Sequence, residues 1–137
     1  MKLEPMMAIH GGCLCGKVRY TVSGPLLNAD HCHCSMCRRQ HGAAFATYAE
    51  CKPEDFAWSA GEEWVNTYEA RGGDGWVFCT QCGASLAGTR DGVVRNITLG
   101  TVEGDPGVRP HCHIFVGSKA VWEDIGDDLP QFDERSP

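Results

Sequence analysis

The sequence has no run of Lys or Arg longer than the pair Arg38 and Arg39, and its formal net charge is −6. A protein that follows a phosphate backbone needs a basic stripe to displace counterions, so no nucleic-acid partner is expected. Long apolar runs are missing as well. The longest are a few residues, against the roughly 20 needed to cross a bilayer as a helix, so no membrane partner is expected either. The N-terminus MKLEPMMAIHGG lacks the apolar stretch of a secretory signal, which makes the cytoplasm the expected location. Met6 and Met7 stand together and suggest a start at that point, with dispensable residues before it.

What is present describes one soluble globular domain over residues 1–137. Hydrophobic residues make up 42% and charged residues 22%, a balance that supports a packed core and argues against disorder. Seventeen glycines and seven prolines point to many turns between short strands. In residues 17–24 the alternation of Val18, Tyr20 and Val22 with Lys17, Arg19 and Thr21 predicts a half-buried strand. Segments 44–51, 63–70, 75–79, 93–100 and 111–117 also read as strands, broken by SGP, KPED, RGGDG, TRDG and EGDPG. Only SMCRRQHG (35–42) reads as a short helix, ended by Gly42. The acidic stretch 125–137 reads as a partly ordered tail. The fold class expected is all-β.

Nine cysteines stand out, and seven fall in three clusters: GGCLCG, HCHCSMC and FCTQCG. In a cytosolic setting such spacing means metal binding or catalysis before it means disulfides, and an odd count agrees. Cys13 and Cys15 face one side of an extended chain. Cys79 and Cys82 form a knuckle whose following glycine allows backbone N–H groups to turn toward the sulfurs. Together these two pairs supply a four-thiolate tetrahedron suited to zinc. A thioredoxin-like redox pair is the alternative for CTQC, but it belongs beside a βαβ unit that this chain does not offer. In the middle cluster Cys32, Cys34 and Cys37 converge, while His31 and His33 point the other way. Three protein ligands with an exchangeable fourth describe a catalytic zinc; His41, His111 or His113 closing the shell would make a structural one. Cys51 and Cys112 stand alone and read as small buried apolar residues. Along residues 111–116, Cys112, Ile114 and Val116 share one face, and His111, His113 and Phe115 share the other, with the histidines toward a cleft.

In order, GGCLCGKVRY, CHCSMCRRQHGAAF, FCTQCGASL, LGTVEGDP and RPHCHIFVGSKAVW resemble the motifs of the glutathione-dependent formaldehyde-activating family, which also includes centromere protein V. The resemblance runs from about Gly11 to Asp124. It implies a β-tent fold of packed antiparallel sheets pinned by zinc. It implies a structural zinc on Cys13, Cys15, Cys79 and Cys82, and a second, catalytic zinc with an open position on Cys32, Cys34 and Cys37. The implied activity is that of a carbon–sulfur lyase joining a small thiol and an aldehyde, as in formation of S-hydroxymethylglutathione from glutathione and formaldehyde. Some members of the fold act without known catalysis, so a zinc-binding scaffold is the alternative. Arg38 and Arg39 are candidates to offset the charge of three thiolates or to hold a substrate carboxylate. His113, in the motif the family shares, is a candidate for orienting a ligand or moving a proton.

Overall fold

Ten strands and one helix organise residues 8–137, which the computed structural model describes; Met6 and Met7 lie outside them. The strands are β1 (Ile9–Gly12), β2 (Arg19–Val22), β3 (Ala29–Cys32), β4 (Ala46–Glu50), β5 (Phe56–Ala60), β6 (Val65–Glu69), β7 (Asp74–Cys79), β8 (Ser85–Arg90), β9 (Val93–Thr98) and β10 (His113–Ile114). They form a three-stranded sheet, β1-β2-β5, and a seven-stranded sheet, β10-β3-β4-β9-β8-β7-β6. All pairings are antiparallel except β10 with β3. The all-β reading therefore holds.

The alternation in β2 works as expected: Tyr20 and Val22 are buried while Arg19 and Thr21 stay partly exposed. With Val18, they pack against Ala49, Leu86 and Ile97 of the larger sheet, and Cys51 is buried in the same core. A second apolar cluster gathers Cys32, Cys37, Ala46, Trp76, Cys112 and Ile114.

Strands β1, β3, β5 and β8 carry no clear pattern in the sequence. Leu86 to Thr89 of β8 are all buried, so the strand lies inside the protein with both faces covered and shows no alternation. The single helix, α1 (Ser35–His41), begins where the Cys34 sulfur accepts a hydrogen bond from the Cys37 N–H, 3.3 Å away. It ends at Gly42, whose φ of 63° places it in the left-handed region that glycine enters without strain.

The segment 111–117 departs from the expected strand. Only His113 and Ile114 pair with β3, and Phe115 turns to φ 55° before a single turn of 3₁₀ helix at Val116–Ser118. The expected alternation thus stops at Ile114. Residues 130–134, expected in a partly ordered tail, instead run beside this segment. The His113 N–H donates to Pro130 O, Phe132 N–H to His113 O and Phe115 N–H to Glu134 O, each at 2.9 Å.

Candidate metal centres and the adjoining cavity

Cys13 and Cys15 sit in the turn joining β1 to β2; Cys79 is the last residue of β7 and Cys82 lies in the turn that leads to β8. The first pair is brought together by that turn and not by strand alternation, as extended chain would have it. Gly16 and Gly83 close the two knuckles at φ 82° and 79°, values open to glycine at no steric cost. All four sulfurs lie within 4.8 Å of one another. The Cys13–Cys15 and Cys15–Cys79 separations are 3.5 and 3.8 Å. Zinc–sulfur bonds of about 2.3 Å require tetrahedral edges of about 3.8 Å, whereas a disulfide would need about 2.05 Å. The Val18 and Gln81 N–H groups each donate to a sulfur of the set at 3.3 Å. The arrangement ties the smaller sheet to the larger.

Cys32 at the end of β3, Cys34 at the helix cap and Cys37 inside α1 form the second set, again within 4.8 Å of one another. Hydrogen bonds from the Cys32 and Cys37 thiols, with the Cys37 and Met36 N–H groups, hold the Cys34 thiol down to about 2 despite burial. The hydrogen bond with Cys34 raises Cys32 to about 12, and those with Cys32 and Cys34, together with burial, raise Cys37 further. A cation bound there would favour the thiolate form of all three cysteines. The Tyr48 hydroxyl donates to Cys37 Sγ at 3.8 Å and accepts from the Trp76 indole N–H at 3.0 Å. Burial and the adjacent sulfur charge raise Tyr48 far above the phenol range, so it stays a donor.

The three cysteines border a cavity of about 230 Å³. Tyr48, Trp76 and Phe115 form its apolar walls, and Asp30, Glu50 and Asn96 bring polar groups from β3, β4 and β9. Alternation back from Cys32 reaches Asp30 on the same face, and Tyr48 and Glu50 are likewise two apart. Those were legible signals. Trp76 and Asn96 are brought in by pairing across the sheet, where Glu50 faces Asn96, Asn96 faces Gly88, and Gly88 faces Trp76.

The histidines take other places. His113 is buried and shares a 2.8 Å hydrogen bond between its Nδ1 and His33 Nε2, while its Nε2 meets the Asp127 carboxylate at 2.9 Å. With His31 and Phe45 it forms an aromatic group, so these histidines face packed side chains where a cleft was expected. His111 binds Ala29 O through Nδ1 at 2.7 Å. The His41 Nδ1 lies 3.2 Å from Cys37 O. Among the described residues no histidine joins the three-cysteine set as a fourth ligand. Arg38 donates from Nε to Ser118 O at 3.2 Å and does not border the cavity; Arg135, from the C-terminal stretch, does.

The molecule is thus an all-β protein with two cysteine clusters, each able to bind a metal ion, one of them at the edge of a cavity. It belongs to the family described as glutathione-dependent formaldehyde-activating enzyme, whose model matches residues 8–118. A crystal structure of a Rhodobacter sphaeroides protein is similar at 28% identity, covering 89% of this chain and 98% of that one, with a TM-score of 0.57. No curated protein matches the chain. Among the described residues no helix is long and apolar enough to cross a membrane.

Proposed function

We propose that this protein is a zinc-dependent carbon–sulfur lyase that forms and cleaves adducts of a small thiol and an aldehyde. The family description supports glutathione and formaldehyde as the pair. The observation that carries the reading is the three-cysteine set on a cavity wall with no fourth protein ligand among the described residues. The same observation favours an enzyme over a scaffold, whose second site would be closed.

Cys13, Cys15, Cys79 and Cys82 would hold a structural zinc, and Cys32, Cys34 and Cys37 a second one with a position open to the cavity. Zinc bound at such a site lowers the pKa of a thiol or polarises a carbonyl oxygen. In the reaction the substrate sulfur attacks the carbonyl carbon and a C–S bond forms. The C=O π pair moves to oxygen, which takes up the proton the thiol has lost. Tyr48 and Trp76 steady the Cys37 sulfur, and the aromatic walls keep water from the adduct. His113 acts as a positioning residue: its bond to His33 fixes the segment between Cys32 and Cys34. Arg38 serves from the far side of α1 by holding the Ser118 segment, the stretch that follows Phe115.

The test measures zinc content by mass and adduct formation from formaldehyde with several thiols. Two zincs per chain are expected, with Cys37→Ala losing one zinc and the activity while staying folded. Absence of turnover with every thiol and aldehyde pair would sink the enzymatic reading.

A further inference from the structure

We propose that the Tyr48 hydroxyl receives the aldehyde oxygen, donating a hydrogen bond to it as it gains charge, with Trp76 as the residue that positions the hydroxyl. The inference rests on the reading that a thiol adds to an aldehyde beside Cys32, Cys34 and Cys37. It names the side chain that meets the oxygen in that reaction.

The hydroxyl has one firm bond and one weak one. It accepts from the Trp76 indole N–H at 3.0 Å, an ordinary hydrogen-bond length. Its own proton goes to Cys37 Sγ at 3.8 Å, a long bond to a poor acceptor. An ion bound to Cys37 draws on the same sulfur electrons and weakens that bond further. The ring itself is held firmly. Tyr48 lies in β4 between β3 and β9, where it faces Asp30 and Thr98, and the His41 ring meets it edge-on with centroids 5.4 Å apart. A fixed donor whose proton lacks a good acceptor needs no reorganisation when charge develops in front of it.

Tyr48 and Trp76 border the same cavity as the three cysteines. The hydroxyl stands 3.8 Å from Cys37 Sγ, about the distance that separates neighbouring sulfurs on one zinc. The oxygen of an adduct formed at the cluster lies two bonds from the substrate sulfur, within reach of that hydroxyl. The charged groups on the wall do not compete for it. Asp30, Glu50 and Asp74 are carboxylates that repel an oxyanion, and Arg135 is turned over the Phe115 ring, 5.5 Å from its centre. As the sulfur pair forms the C–S bond, the C=O π pair moves to oxygen and Tyr48 O–H donates to it without giving up its proton. The oxygen then takes up the proton that the thiol lost.

The experiment has two arms on the metal-loaded wild type, Tyr48→Phe and Trp76→Phe. Calorimetry compares γ-glutamyl-norvalyl-glycine with its side-chain-terminal alcohol, in which CH2 replaces the sulfur of S-hydroxymethylglutathione. Kinetics give kcat and KM for glutathione with formaldehyde, with zinc content measured on the same samples. The alcohol is expected to bind the wild type about tenfold tighter than the peptide without it, an advantage lost in Tyr48→Phe and reduced in Trp76→Phe. In Tyr48→Phe kcat is expected to fall about 10²–10³-fold with KM and zinc content little changed. Equal binding of the two peptides to the wild type, or an advantage kept in Tyr48→Phe, overturns the role. If Tyr48→Phe does not fold, Trp76→Phe decides, and an unchanged advantage there overturns it. If the advantage appears and is lost as expected while no thiol turns over, the oxygen site stands and the thiol chemistry falls. If turnover is untouched by Tyr48→Phe, the thiol chemistry stands and the role of Tyr48 falls.

Discussion

Removing one ligand from each cysteine set should have unequal effects on folding. The Cys15–Cys79 link spans 64 residues, and the set joins two sheets that otherwise meet through side-chain packing and a backbone contact of β1 with the segment after β9, where Gly11 bridges Val102. The Cys32–Cys37 set spans a stretch that β3, α1 and the His33–His113 hydrogen bond already hold. Closing a 64-residue loop in place of a five-residue one removes about 2 kcal/mol more unfolded-state freedom by the logarithmic loop relation. A structural zinc contributes on the order of 10 kcal/mol to folding, against a net domain stability of about 5–15 kcal/mol. Cys82 is partly exposed, so its truncation loses little packing, and a large effect of Cys82→Ala reports the metal. That variant is expected to be unfolded or insoluble. Cys34→Ala loses a helix cap worth about 1 kcal/mol together with the local ion, and is expected to remain folded with a lowered urea midpoint. The assay is urea unfolding followed by far-UV dichroism, with zinc content measured on the same samples. A Cys82→Ala protein with a midpoint near wild type would refute the assignment of the fold-holding role to this set. Equal loss of structure in both variants would do the same.

Three further outcomes follow from single contacts. Trp76→Phe removes the N–H that fixes the Tyr48 hydroxyl on Cys37 Sγ; turnover is expected to fall about tenfold with little change in melting temperature. His113→Ala leaves the fully buried His33 Nε2 without a partner and is expected to cost about 2–3 kcal/mol in urea unfolding, more than Asp127→Asn at the exposed end of the chain of bonds. Tyr20 is raised to about 12 by burial, so between pH 10 and 12 the unfolded state loses its proton first, and stability falls as pH rises through that window. Two pH units correspond to about 2–3 kcal/mol, and Tyr20→Phe is expected to remove this part of the alkaline loss in pH-dependent melting.

The cysteine sets were legible because their geometry is local: two- and three-residue spacings with a glycine after them define a knuckle wherever the chain goes. The helix at 35–42 and most strands with clear alternation were legible for the same reason. Strand β8 was not, since burial on both faces erases the alternation. The cavity wall depends on register across four strands and on a bulge at Gly88–Thr89, neither of which leaves a mark on a single strand. The opposite facing of His31 and His33 from the cysteines was readable, but the partner Asp127 stands in a stretch that looked like solvated tail. Phe115 reaches the cavity through a left-handed backbone turn at a non-glycine residue, which sequence pattern does not announce.

The central claim is that Cys32, Cys34 and Cys37 hold a metal whose fourth position takes a thiol. Cadmium NMR of the cadmium-loaded protein tests it most directly, because the resonance moves with each sulfur ligand. Two signals are expected, one typical of four sulfurs and unresponsive to ligand, the other typical of three sulfurs and moving to the four-sulfur region when glutathione is added. Two four-sulfur signals before addition, or a second signal indifferent to every thiol, would contradict the account.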